Sequence, residues 1–464
     1  LIDFGTKSLV FILADYSTRE QLPRLVFVRF GPIQYGKENK MESTSEKLGP
    51  VVIPPEETGG VPVKCWTKDV DPETGKPILN LEEGAIRQVS QAARLPCVFH
   101  HVALMPDAHT GFGVPVGSVL PLINAISPNA VGVDIGCGMC AWNSGIKVSD
   151  LNVRELMTSI KDDIPVGEGK NRTNSDIWLG HERIKGEIQS VQEKFEQAKE
   201  ICKTLDYPEW SRAKVQIGTL GGGNHFIELQ QDSEGNAWFM LHSGSRGLGA
   251  QLAKKFHHLA VKTCRKYFTR LENEELAFMP SDSEEGQWYI ASLLAAQEYA
   301  LVNRHLMMIV CQEALREQKW AGANPVKDIV NIHHNYATIE NHFGQNVWVH
   351  RKGATLARRT TVGIIPGSMC SKSYIVKGKE NADSFNSCSH GSGRNFSRTT
   401  AKKRIAEGLD PSQASQLGSV ELYGVREAHD ELGSAYKDID TVMENQKDLV
   451  NIQTELKPVA VLKG

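Results

Sequence analysis

Residues 131–140, VGVDIGCGMC, set Asp134 and Cys137 three apart among Gly132, Gly136 and Gly138. Glycines let the main chain bend so that both side chains converge, and a carboxylate and a thiolate are good ligands for a divalent transition metal. The stretch therefore predicts a metal-binding turn. On this segment alone, a glycine-rich turn in which Cys137 merely packs stays open. Among the fifteen histidines, three further segments carry the same glycine or asparagine marking: Gly-Asn-His at 223–225, His-Ser-Gly-Ser-Arg at 242–246 and His-His-Asn at 333–335. Cys137 and Cys140 approach a CxxC, but no second pair follows, so Cys137 is read as the ligand and Cys140 as core.

The 464 residues, 40% hydrophobic and 23% charged, can bury a large core. A net charge of −3 excludes a generally basic nucleic-acid coat, so any polyanion site is a local patch. Nine scattered cysteines point to a reducing compartment rather than a disulfide scaffold, and a cytoplasmic location is expected. Residues 1–40 lack an initiating Met, and the apolar run 8–14 is too short and too weakly flanked for a signal peptide or membrane span. Met41 opens a polar stretch rich in Glu, Pro, Ser and Gly. Residues 1–60 are therefore expected to be poorly structured, and 1–40 to reflect start-site assignment, a genuine variable extension being the alternative.

From 61 onward no repeat or linker interrupts the chain, and one large domain over 61–464 is expected. Residues 63–66 read as a strand, 81–93 as a helix ended by Pro96, and 98–105 as a strand entering a loop, Pro106 to Gly111, that carries an acid and an imidazole. Residues 114–122 read as another strand. Apolar residues at three- and four-residue steps predict a helix, or a pair broken near Gly186, over 184–205. A strand over 215–220 entering the glycines at 221–223, a strand at 238–241 delivering His242, and a long buried helix over 287–318 follow. Gln297, Glu298, Asn303, Arg304 and His305 interrupt that helix, which no membrane span would carry.

In the last third, apolar runs at 329–332, 347–349 and 364–365 end in polar, glycine-bearing turns, a usual way to mount a site on a rigid frame. Residues 387–394, SCSHGSGR, present His390 in a loop of small residues whose N–H groups could bind an anion. Two basic clusters, Arg351, Lys352, Arg358 and Arg359, and then Arg394, Arg398, Lys402, Lys403 and Arg404, are candidate polyanion footprints; a solvated helix face accounts equally for 402–404.

The ordered segments MPDAHTGFG, VGVDIGCGM, GTLGGGNHFIEL, LHSGSRGLG, HHN, HRKGAT, IPGSM, SYIVKG, SCSHGSGR, AYKDID and VLKG resemble the RtcB family of RNA-splicing ligases, bacterial type, from about residue 61 to 464. The resemblance implies a mixed α/β (α+β) fold, a single large domain around a deep metal-binding cleft. It implies a ligase that joins RNA 3′-phosphate or 2′,3′-cyclic phosphate ends to 5′-hydroxyl ends, using GTP and Mn²⁺. By motif, the metal ligands would be Asp134, Cys137, His225, His242 and His334, a set suited to two ions with the thiolate bridging. His390 would be the residue that becomes guanylylated, with Asp107 orienting it; Ala108 stands where valine is common in the motif. Asn224 and the turn Pro366, Gly367, Ser368 and Met369 would lie near phosphates or ribose, Glu228 and Lys463 at the guanine edge, with Ser373 and Tyr436 as further pocket residues. Arg246, Lys352 and Arg394 would hold RNA phosphates.

Two other classes remain open at this level. A metal-dependent phosphoesterase could use the same ligands to activate water without needing His390 or Lys463. A non-catalytic RNA-end-binding protein would tolerate loss of ligands. Nothing in the sequence names the natural RNA, an accessory activating protein or an oligomeric state.

Overall fold

In the computed structural model, residues 49–464 are described, apart from 72–73, 75, 173–181, 204, 319, 321–323, 325–328 and 426–427. The expectations for residues 1–48 lie outside the described residues. Strand Val51–Ile53 pairs with Val63–Cys65 and helix Pro55–Thr58 follows it, so regular structure is already present ten residues before the boundary drawn from composition at 61.

Two sheets carry the fold, which is mixed α/β. A six-stranded sheet runs in the order Val51–Ile53, Val63–Cys65, Val102–Phe112, Val114–Leu122, Gln345–Lys352, Asn335–His342. The second sheet runs Val330–His333, Gly138–Lys147, Asn236–Ser243, Phe226–Gln231, Val450–Lys463, Ser373–Gly378, Val362–Ile365, with Glu421–Gly424 added parallel to Val450–Lys463. At one crossing between the sheets a single residue, His334, separates Val330–His333 of one from Asn335–His342 of the other. Strand Val450–Lys463, late in the sequence, is clamped between strands made much earlier.

Helix Glu284–Glu317 lies against strand Asn236–Ser243 and between helices Glu182–Ile201 and Arg246–Lys266. Ser283 caps it, its hydroxyl accepting from Gly286 N at 3.1 Å, and Glu284 and Glu285 in the first turn complement the dipole. Its sides are buried nearly all round, which is why no single apolar stripe marks it. Among its small residues, Ala300 admits the metal-turn candidate closely: a Cβ on Gly136, at φ +75°, would lie 3.0 Å from Ala300 Cβ.

Several local expectations need correction. Pro106 to Gly111 is not a loop: it lies within strand Val102–Phe112, whose pairing with Val114–Leu122 slips between Leu104 and His109 and again between His109 and Phe112. Pro106, lacking an N–H for the ladder, falls inside the first irregularity. Residues 215–220 form turns after helix Trp210–Lys214 rather than a strand. Arg351 and Lys352 belong to strand Gln345–Lys352 rather than to the turn after it.

Helix Glu182–Ile201 runs unbroken through Gly186, because Ile188, Val191, Phe195 and Ala198 bury a stripe that outweighs the glycine's poor propensity. A Cβ there would meet nothing within 4 Å. Gly186→Ala should therefore stabilise the protein by about 0.5–1 kcal/mol, seen as a higher midpoint in urea or thermal unfolding. A lower midpoint would mean that the glycine is required.

Candidate active site

Sheet register assembles the metal-ligand candidates. Pairing of Asn236–Ser243 with Gly138–Lys147 sets Ser243 opposite Gly138, and pairing with Phe226–Gln231 sets His242 opposite Phe226. Cys137 and His225 each sit one residue before those partners. The carbonyl of Cys137 accepts from His334 N at 2.9 Å and Asn335 N at 3.3 Å, which fixes the crossing between sheets. Cys137 Sγ then lies 3.2 Å from His242 Nε2 and 3.6 Å from His225 Nε2. His334 Nε2 is 3.2 Å from His242 Nε2, and Asp134 Oδ2 is 3.2 Å from His225 Nε2.

The chemistry of this donor set fits a cation. His225 and His242 donate from Nδ1 to the carbonyls of Leu220, at 3.0 Å, and Asn224, at 3.1 Å, so their Nε2 lone pairs face the cysteine sulfur. Donor atoms crowd one another with too few protons between them. His334 Nδ1 is buried without a hydrogen-bond partner among the described residues. Burial, followed by the carboxylate of Asp134, pushes the Cys137 thiol well up, and burial pushes His242 and His334 well down. A divalent ion would reverse the thiol's preference. Cys137, His225 and His242 form a buried group that could hold a metal ion, with Asp134 and His334 each within reach of one member.

Beside this group stands His390. Its main-chain N–H and its Nδ1–H both donate to Asp107 Oδ2, at 3.1 and 2.6 Å, so that in the neutral ring the lone pair sits on Nε2. Asp107 is fully buried, and the ring of His390 meets that of His334 edge-on at 4.9 Å. Strand Ser387–Ser389 carries His390 and is held by Gln446, which accepts from Ser389 N at 3.0 Å and donates to its hydroxyl at 2.6 Å. Gly393, at φ +71°, is indispensable: a Cβ would lie 2.1 Å from Asp107 O.

Both groups open on one cavity of about 270 Å³, lined also by Asn224, Glu228, the turn Pro366, Gly367, Ser368 and Met369, Tyr436, Lys463, Lys352 and Arg394. Burial raises Glu228 to about 7. Ser373 supports the turn from behind, its hydroxyl accepting from Gly367 N at 3.1 Å and Gln230 Nε2 at 3.0 Å. Arg246 is not part of the wall; its Nε donates to Thr219 Oγ1 at 3.2 Å. Lys352 Nζ donates to the carbonyls of Phe112 and Val114, and burial lowers it to about 8. Arg351 leaves the candidate surface footprint altogether. It is fully buried and pairs with Glu340, whereas Arg358 is half-buried and reaches the same carboxylate at 3.4 Å, and Arg359 is exposed.

The profile of the family described as tRNA-splicing ligase RtcB matches residues 88–464. The chain belongs to the RtcB family of RNA ligases. It is 38% identical over 421 residues to the RNA-splicing ligase RtcB of Escherichia coli K12, covering 88% of this chain and 98% of that protein. It is 31% identical over 449 residues to the tRNA-splicing ligase RtcB of Archaeoglobus fulgidus, covering 83% and 92% respectively. All nine cysteines are free, and no helix among the described residues is long and apolar enough to cross a membrane.

Three residues of this RtcB chain escaped sequence reasoning. Glu431 is buried in the cavity wall, where its carboxylate accepts from Lys463 at 3.1 Å, Tyr436 Oη at 2.5 Å and Arg394 at 3.3 Å, and also pairs with Arg398. Arg394 further stacks over Tyr436, its guanidinium carbon 5.0 Å from the ring centre. Asn303 and Arg304, legible only as polar interruptions of a helix, are fully buried. Asn303 Oδ1 accepts from Gly218 N at 2.7 Å and Thr219 N at 3.2 Å, while Arg304 donates to Gly136 O at 2.9 Å, Ser243 O at 3.0 Å and Asn331 Oδ1 at 2.7 Å. The bonds of Arg304 tie down the segments bearing Cys137, His242 and His334.

Arg304→Met would take the guanidinium's bonds from Ser243 O and Asn331 Oδ1, while Gly136 O keeps His333 Nδ1 at 2.8 Å; each of the two lost bonds costs about 1–3 kcal/mol. A loss of about 2–6 kcal/mol is expected in chemical unfolding, with transition-metal affinity weakened about 10- to 100-fold by calorimetry. Unchanged values for both would show that the ligand loops hold themselves.

Glu340 supplies a pH dependence. Burial alone would raise its carboxyl, but Arg351 and His342 outweigh that and bring it down to about 2. The folded value lies below the ordinary one, so this contribution is complete above about pH 5 and fades as pH falls towards 2. Glu340→Gln should destabilise most at neutral pH, and the gap to wild type in urea titrations should narrow between pH 5 and pH 3.

Proposed function

We propose that this protein joins RNA ends bearing a 3′-phosphate or 2′,3′-cyclic phosphate to ends bearing a 5′-hydroxyl, through a covalent His390–GMP intermediate and an RNA 3′-end activated by GMP. The observation that carries the reading is His390: an imidazole with Nδ1 fixed on a buried carboxylate and Nε2 open to the cavity, one ring away from His334. A metal-dependent phosphoesterase has no use for an oriented nucleophile outside its ligand set, and a passive RNA-end binder has no use for a complete ligand set.

On this reading, the neutral Nε2 of His390 attacks the α-phosphorus of GTP, the N–P bond forms and pyrophosphate departs. Asp107 holds the Nδ1 proton throughout and offsets the positive charge the ring acquires. Water first opens any 2′,3′-cyclic phosphate to a 3′-phosphate, the RNA 3′-phosphate then takes GMP from the imidazole, and the 5′-hydroxyl displaces GMP from the activated end. Glu228, when ionised, can accept from N1–H and the 2-amino group of guanine, and Lys463 can donate to O6, a pattern that adenine cannot match. Two Mn²⁺ ions held by Asp134, Cys137, His225, His242 and His334 would supply charge neutralisation and in-line orientation of the phosphates. Zinc or copper would bind such a sulfur- and nitrogen-rich set more tightly, so manganese would be selected by availability and reactivity.

Incubation with radiolabelled GTP and Mn²⁺ should give an acid-labile protein–GMP adduct. His390→Ala should lose the adduct and the joining of 3′-phosphate ends, keep its bound metal, and still seal RNA supplied with GMP already on its 3′-phosphate. Failure on the activated RNA by a folded, metal-loaded variant would remove the separation between nucleophile and metal site. Cys137→Ala should lose both adduct formation and sealing.

A further inference from the structure

The final displacement leaves one proton unassigned. The attacking 5′-hydroxyl must lose it, and His390 has completed its part by then. Of the histidines that line the cavity, His242 and His334 belong to the donor set and His390 is the proposed nucleophile, which leaves His109 without a role.

His109 is placed in the wall by the irregular strand Val102–Phe112. It pairs with Val116 between two slips of register, and such bulges turn a side chain out of the ordinary alternation. Its Nδ1 lies 2.9 Å from the carbonyl of Asp107 and makes a longer contact, 3.5 Å, with Arg394 N. The shorter contact assigns the proton to Nδ1 as donor. Nε2 is then a lone pair, with no protein hydrogen-bond partner among the described residues. Asp107 thus fixes two imidazoles on one cavity in the same tautomer, His390 through its carboxylate and His109 through its main-chain carbonyl.

Building on the ligase reading above, we propose that His109 is the general base that takes the proton from the RNA 5′-hydroxyl in the sealing step. The O–H bond breaks as Nε2–H forms, and the freed oxygen pair makes the new bond to the 3′-phosphorus. The bond from that phosphorus to the GMP oxygen breaks, GMP leaves with the electron pair, and His109, which keeps some solvent exposure, releases its proton to solvent. The groups facing the ring keep it uncharged and able to accept a proton, at a cost in basicity. Burial first, then His390 and Lys437, favour the uncharged imidazole against the pull of the Asp107 carbonyl and carboxylate, bringing it to about 4. Lys437 itself is anchored on Ala108 O at 2.6 Å.

The test uses His109→Asn, whose amide can keep a donor on the Asp107 carbonyl while removing Nε2. In the full chain, with GTP and Mn²⁺, the variant should form the His390–GMP adduct at the wild-type rate. Sealing of RNA already activated by GMP should fall about 100-fold or more at neutral pH and recover roughly tenfold per pH unit as hydroxide replaces the base. His109→Ala should show the same loss and be rescued by added imidazole. Adduct formation and sealing falling together would make His109 a support of Asp107 and overturn the proposal. So would undiminished sealing, or a defect that neither higher pH nor imidazole relieves. A wild-type protein that forms no adduct would instead fail the underlying ligase reading.

Discussion

The site depends on one buried guanidinium. Arg304, on a helix that packs behind the second sheet, donates to Gly136 O, Ser243 O and Asn331 Oδ1, and so ties together three segments that end in Cys137, His242 and His334. Cys137 and His334 lie outside regular structure, and His242 sits one residue from the end of strand Asn236–Ser243. A buried arginine is costly to desolvate, and burial does lower Arg304 to about 10, but its bonds to carbonyl and amide oxygens offset that cost. Asn303, its neighbour on the helix, performs the same service for the turn that leads to His225.

Charge is organised the same way around the rest of the cavity. Asp107 lies buried below His390, and Glu431 lies buried amid Lys463, Arg394 and Arg398. A carboxylate among cations does two things. It fixes long flexible side chains in one geometry, and it keeps a cavity lined by several cations from paying the repulsion of unpaired like charges.

Much of this was legible from the sequence because local pattern and structure agree. The strand Val114–Leu122 has the bounds read from its apolar run, and helix Glu83–Ala93 begins two residues inside the expected range. The ligand candidates stood out because turns that aim side chains inward need glycine or asparagine. What stayed hidden were partnerships across long separations. Glu431 and its cations, or Arg351 and Glu340, look like ordinary surface charge until the chain folds and buries them. The segment from Pro106 to Gly111 misled for a related reason: proline and glycine usually mark loops, but here two bulges absorb them inside a strand.

The place of strand Val450–Lys463 has a consequence for synthesis. It is hydrogen-bonded on one side to Phe226–Gln231 and on the other to Ser373–Gly378, so it closes the gap between two parts of the same sheet. A ribosome makes those outer strands first, and until the later one emerges each presents an open edge bearing unpaired amides. The nascent chain must therefore hold half a sheet in waiting, and Lys463 reaches the cavity only as that gap fills. Partial products of translation would lack a functional pocket, and their exposed edges would make them natural clients for chaperones.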